Sequence, residues 1–263
     1  MRLRIAAVLL AAGCASALHE PRPIEALAPG RAKGRSADEL MRDAGAAWER
    51  RRSPGQAAAA QDLFLDAAAA DGGRVDAVIG AMRAMSFRIE HEHGVARGRL
   101  AEEEVELGQW CQRRDGASAE CDYRLAIALG QQARERTSTG KDALGRMVDL
   151  LHRAIARSPN VDSAGPHRVL ALVLLRAPSW PVGPGDPEAA LEEARAAARL
   201  FPDAADNQLA LAEALAANDS SDEAHEAYGK ALALATAARD AGDLDAPLWM
   251  KAAQAGIDKT AGQ

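Results

Sequence analysis

The chain has 263 residues, 48% hydrophobic but only 3% aromatic, with 32 Lys and Arg against 38 Asp and Glu for a formal charge of −6. That mildly acidic balance argues against nucleic acid as a partner, and the basic runs (Arg31 to Arg35, Arg50-Arg51-Arg52) are too short to track a phosphate backbone. Ala, Leu, Glu and Arg dominate and period-two runs of Val, Ile, Thr and Tyr are absent, so a sheet has little support and the chain reads as all-α.

In chain order, the first segment stands outside that fold. MRLR carries two arginines, IAAVLLAA is a short apolar run and Gly13-Cys14 follows. A charged head, a short apolar core and small residues make an export signal, too short to remain in a bilayer as a spanning helix. LLAAGC resembles the lipobox of bacterial lipoproteins, which implies a signal peptide over 1–13 and lipidation of Cys14. Ala15-Ser16-Ala17 offers a rival A-x-A cleavage site that would give a soluble exported protein. Loss of Arg2 and Arg4 moves the formal charge from −6 to −8. Residues 14–35 contain three prolines and two glycines and no apolar period, and read as a flexible tether. The predicted address is the periplasmic face of a bacterial membrane, with a soluble periplasmic or secreted protein as the alternative.

From residue 36 to 263 a helical period recurs in pairs. Residues 36–72 carry Gly45 and Trp48 on a first helix and Ala60, Phe64 and Ala67 on a second. Residues 74–113 give a pair whose second helix is charged, and 121–159 one with Met147, Leu151 and Ala154 on its second helix. Residues 164–202 and 204–235 are two further pairs, and 245–260 reads as a capping helix. Ser36 to Glu39 and Ser220 to Glu223 fit the capping box, while Ser53-Pro54 and Asp186-Pro187 place a capping residue before a first-turn proline. The expected architecture is a right-handed superhelical array of about five helical hairpins, whose stacked pairs bury a core that no single pair could bury alone.

Reactive chemistry is sparse. Cys111 and Cys121, an even pair in an exported chain, suggest a disulfide, with two buried thiols as the alternative. His91-Glu92-His93 lacks the H-E-x-x-H spacing that would put two ligands on one face, so it reads as a solvated turn and no metal is expected. Glu102-Glu103-Glu104 and Glu106 read as a wet helix face. No G-x-S-x-G or phosphate-loop motif is present, so neither catalysis nor a cofactor is expected.

The segment NQLALAEALAANDSSDEAHEAYGKALAL, with Ala224, Tyr228 and Ala231 on one face, resembles the tetratricopeptide repeat (TPR). GPHRVLALVLLRAPSWPVGPGDPEAALEEARAAARLFPDAADNQLALAEAL resembles the T-component family of TRAP transporters, whose helical pair is interrupted by an AP-x-x-P-x-x-x-GD-type segment. That resemblance implies a lipid-anchored periplasmic scaffold that associates with the transporter's solute-binding protein. It also implies a homotrimer with a pocket for a hydrophobic ligand. A general TPR adaptor in envelope assembly or secretion is the alternative function. The interrupting loop runs from Leu175 to Asp186, about ten residues where a few suffice, and such loops tend to carry function. Its Trp180 either folds back toward Leu172 and Leu175 or presents an aromatic face to a partner. His167, Arg168, Asn207 and Gln208 start inner helices and are candidate contacts in a concave groove.

Overall fold

The computed structural model describes residues 16–30 and 34–261. Within them twelve α-helices follow in order: α1 (Ile24–Leu27), α2 (Ala37–Glu49), α3 (Gln56–Ala70), α4 (Val75–His91), α5 (Arg97–Arg114), α6 (Ala119–Glu135), α7 (Gly140–Arg157), α8 (Gly165–Arg176), α9 (Pro187–Leu200), α10 (Ala205–Ala217), α11 (Ser221–Asp240) and α12 (Ala246–Thr260). Among the described residues there is no β-strand, and no helix is long and apolar enough to cross a membrane. From α2 to α11 consecutive helices pair as five hairpins, and α12 closes the last one. Even-numbered helices also touch one another, α4 with α6, α6 with α8, α8 with α10 and α10 with α12, and so form an inner layer. The protein is thus an all-α helical-repeat array.

Local chemistry sets several of these boundaries. At the start of α2, Ser36 Oγ accepts from Glu39 N at 3.3 Å and the Glu39 carboxylate accepts from Ser36 N at 2.9 Å, the reciprocal cap its sequence predicts. The Ser36 amide also holds the Glu39 carboxyl below its ordinary pKa. At α9, Asp186 Oδ1 accepts from Ala189 N at 3.0 Å and Pro187 fills the first helical position. Two predicted starts differ. α3 begins at Gln56 after Gly55, whose φ of 75° a side chain would strain, so Ser53-Pro54 belongs to the preceding turn. Ser220 makes no side-chain cap, its amide instead bonding Leu215 O at 3.0 Å.

Small residues let the helices approach closely. Gly108 on α5 lies so near α6 that a Cβ there would sit 2.7 Å from Leu125 Cδ1. With few aromatics available, alanines fill most of the buried hydrophobic positions, and the array packs through backbone proximity. The principal core runs from Ala17 to Ala190, and a second joins α10, α11 and α12 around Tyr228. Cys111 on α5 and Cys121 on α6 form a disulfide with Cα atoms 5.4 Å apart. Beside it the buried carboxylate of Asp122 takes hydrogen bonds from Gln112 (2.5 Å), Arg153 (2.9 Å) and Arg157 (2.6 Å), tying α5, α6 and α7.

Two sequence expectations are corrected here. Residues 16–30, predicted as part of a mobile tether, are fastened along α3, α5 and the start of α7. Ala17 and Ile24 are buried, and Ala17 N donates to Asp142 at 2.8 Å. Arg22 Nε reaches both Glu106 oxygens, Trp110 Nε1 donates to Arg22 O at 2.7 Å, and Gly30 N donates to Asp66. The prolines hold the segment extended while Leu18, Ile24 and Leu27 supply apolar contacts spaced too irregularly to read as a period. As a result the acidic face of α5 is not wet: Glu104 and Glu106 are buried, the first beneath Ser86 of α4 and the second beneath Arg22 and His19. Cys14 lies outside the described residues.

Candidate functional site

The inner layer encloses a concave cavity of about 490 Å³, within the range of small-molecule sites. Three elements build most of it, with Trp48, Arg51 and Arg52 at the end of α2 and Asp162 and Val169 around the start of α8 completing the wall. α4 contributes the stripe Arg83, Phe87 and His91, spaced i, i+4, i+8, so all three point to one face. α6 contributes Arg124, Ile127 and Gln131 at i, i+3, i+7. The turn between α11 and α12, with Asp243, Leu244 and Asp245, comes across the concave face to meet them.

One end is aromatic. Trp48 of α2 and Phe87 stand edge to face with centroids 5.8 Å apart, and Phe87 lies 4.6 Å from the His91 ring. Arg51 and Arg83 lie over Trp48 at 4.5 and 5.4 Å. The crossing turn is held by His91 Nε2 to Asp245 Oδ1 at 3.1 Å. Burial pushes the Asp245 carboxyl up, and His91 opposes it.

The acids along the wall already have partners. Glu90 pairs with Arg134 and accepts from Gln131 Nε2. Asp162 accepts from Tyr123 Oη at 2.7 Å and faces Arg168 at 3.7 Å. Burial pushes the Asp162 carboxyl up, but Arg124, the Tyr123 hydroxyl and Arg168 outweigh it and hold it below its ordinary value. Burial pushes the Tyr123 hydroxyl well up, so it stays protonated and donates. Beneath the wall, Glu104 is fully buried and its carboxyl is pushed up to about 8, with Ser86 and Arg124 opposing. It is therefore mostly neutral at pH 7.

The residues singled out from sequence scatter around this cavity. Arg168 lines its neighbouring recess, bonding Asn207 Oδ1 at 2.8 Å and Asp206 at 3.1 Å. Asn207 and Gln208 are not groove contacts. Asn207 is buried and donates to Ser163 O of the α7–α8 turn at 2.9 Å, and Gln208 is buried and donates to Pro202 O of the α9–α10 turn at 2.9 Å. A helix-opening amide so near a turn finds backbone acceptors before it finds solvent. His167 faces Glu193 of α9 at 2.6 Å and links the two helices of its own hairpin. Trp180 does not fold back: it is 87% exposed on the α8–α9 loop, with Val182 beside it at 64%. No group of three or more His, Cys, Asp or Glu residues placed to hold a metal occurs among the described residues. Sequence reasoning missed Arg83, Phe87, His91 and Arg124, although the spacing on α4 and α6 carries the signal.

No family model matches the chain, and no curated protein matches it. Among solved structures it is similar to TTC0263, a thermophilic TPR protein of Thermus thermophilus, at 21% identity and a TM-score of 0.60, over 83% of this chain and 99% of that one. It is also similar to the MamA protein at 19% identity and a TM-score of 0.49, over 79% of this chain and 96% of that one. The first of these shows that the helical array is TPR-like.

Proposed function

We propose that the protein is an exported, lipid-anchored binding scaffold that holds a ligand in its concave face, in the role of a TRAP-transporter T-component associating with a solute-binding protein. The observation that carries the binding role is the concave cavity. A stacked array spends most of its sequence on a shared core, and here its inner layer instead gathers exposed arginines, aromatic rings and a crossing turn around an open volume. The disulfide supports export, since such bonds persist in oxidising compartments. The interrupting loop supports the T-component role, because it presents Trp180 and Val182 to solvent on a rigid helical frame. Affinity purification from native membranes with mass spectrometry tests the role: recovery of a TRAP solute-binding protein is expected. Recovery of secretion or cell-wall components instead would replace that role with a general envelope adaptor. Cys14→Ala is expected to move the protein from the membrane fraction to the soluble one, and unchanged fractionation would remove the anchor.

A further inference from the structure

Arg124 sets a buried guanidinium in the wall of the concave cavity with its Nε unpartnered. The residue is 92% buried, its exposure being 8%, and Nε has no hydrogen-bond partner. Its two ionic contacts, Glu120 at 3.5 Å and Asp162 at 3.9 Å, both lie beyond the 2.7–3.2 Å of a hydrogen bond. A buried Nε–H donor calls for an acceptor, and leaving it unmet is costly. Gln131, on the same face further along α6, is also buried and its Oε1 likewise has no partner.

The surrounding charge points the same way. Three of the wall's four acids are occupied, Glu90 by Arg134, Asp162 by Tyr123 and Arg168, and Asp245 by His91, while Asp243 Oδ1 accepts from Asp245 N. Among the described residues no carboxylate lies within ion-pair distance of Arg51, Arg52 or Arg83, all three of which line the cavity. Against the single carboxylate of Asp243, these three arginines leave the free charge of the chamber positive. Trp48, Phe87, Ile127 and Val169 provide apolar wall between these arginines. With charged side chains making up much of the remaining wall, the chamber suits a compact molecule and is poorly matched to a long lipid tail.

The geometry points to a site for a small organic carboxylate, its oxyanion on Arg124 and Arg83 and its short apolar or aromatic body against Phe87 and Ile127. Gln131 Oε1 is placed to accept from a donor on the same ligand. The α11–α12 turn across the concave face limits the site to a small molecule, where an uninterrupted groove would take an extended peptide. This deepens the binding reading of the concave face and is independent of the TRAP assignment.

The probe is 3-phenylpropionate, with 3-phenylpropanol and 3-phenylpropylamine as isosteres lacking the anion, titrated calorimetrically into the purified chain. The carboxylate is expected to bind, the alcohol at least about tenfold more weakly, and the amine not at all. Arg124→Gln is expected to weaken binding about tenfold or more. Arg83→Gln, at an exposed position that leaves the core intact, is expected to weaken it several-fold, so a folding defect in the first variant does not decide the matter. Phenyl phosphate binding as well as the carboxylate would widen the class to oxyanions, with the same arginine dependence confirming the site. Equal binding of carboxylate and alcohol, no binding of the carboxylate to the unaltered chain, or indifference to both substitutions would overturn the assignment. A peptide that binds where 3-phenylpropionate does not would overturn it too, while leaving the concave face as a protein-binding surface.

Discussion

Replacing Glu104 with Gln should make the protein more stable at neutral pH, and the gain should grow with pH over a defined window. The Glu104 carboxyl is fully buried, accepts one hydrogen bond from Ser86 Oγ at 2.6 Å and titrates near 8 instead of its ordinary 4.5. Below pH 4.5 it is protonated in both the folded and the unfolded chain, and the two states differ by no proton at this site. Between 4.5 and 8 the unfolded chain releases the proton and the folded chain keeps it, so stability falls by about 1.4 kcal/mol per pH unit. Above 8 the folded carboxyl ionises as well and the decline stops. At pH 7 this amounts to about 3 kcal/mol relative to a neutral side chain, a difference of roughly 6–12 °C in Tm for a domain of this size. Gln keeps an acceptor for Ser86 and cannot ionise. Urea denaturation of both proteins at pH 5, 6, 7 and 8 reads the effect, and every other titrating group cancels in the difference. Two parallel stability curves across that range would refute the argument, since they would mean that Glu104 keeps an ordinary pKa in the folded chain.

Four further outcomes follow from the packing. The double substitution Cys111→Ser and Cys121→Ser should cost about 2–3 kcal/mol by denaturation, and free-thiol titration of the unreduced, unaltered chain should find neither cysteine reactive. Gly108→Ala should cost about 1–3 kcal/mol because its Cβ meets Leu125, and a neutral result would mean that α5 and α6 can part freely. Deleting residues 1–30 should lower stability by about 3 kcal/mol or more, since it exposes the apolar bed of Ile24 and leaves Glu106 without Arg22, whereas an unchanged Tm would restore the tether reading. Trp180→Ala should shift stability by less than about 0.5 kcal/mol while weakening capture of the native partner in the membrane purification.

The repeat architecture was legible because a helical face imposes its period on the sequence: Ala224, Tyr228 and Ala231 are all buried against their neighbours. Asp186-Pro187 was equally legible, because a cap and a first-turn proline act within one turn. Contacts across the fold were not. Glu104 and Glu106 share an acidic run with Glu102, and only the arrival of α4 and of residues 16–30 separates buried from wet. Asn207 and Gln208 looked like groove residues because their helix faces inward, yet the α7–α8 turn claims the first amide and the α9–α10 turn the second. His91 reads as a loop histidine until the α11–α12 turn, about 150 residues away in the chain, is brought to it by the curvature of the array.

That last contact changes how the array behaves mechanically. An open stack of hairpins is a spring, free to fray from either end because each unit touches only its neighbours. Here Asp245 touches α4, three hairpins away from the α10–α11 hairpin it follows, and the spring is hooked back onto itself. The hook rests on His91 and Asp245, the latter about half exposed, and such an exposed polar contact is worth at most about 1 kcal/mol. The mouth of the chamber and the end of the array therefore share a contact, His91 to Asp245.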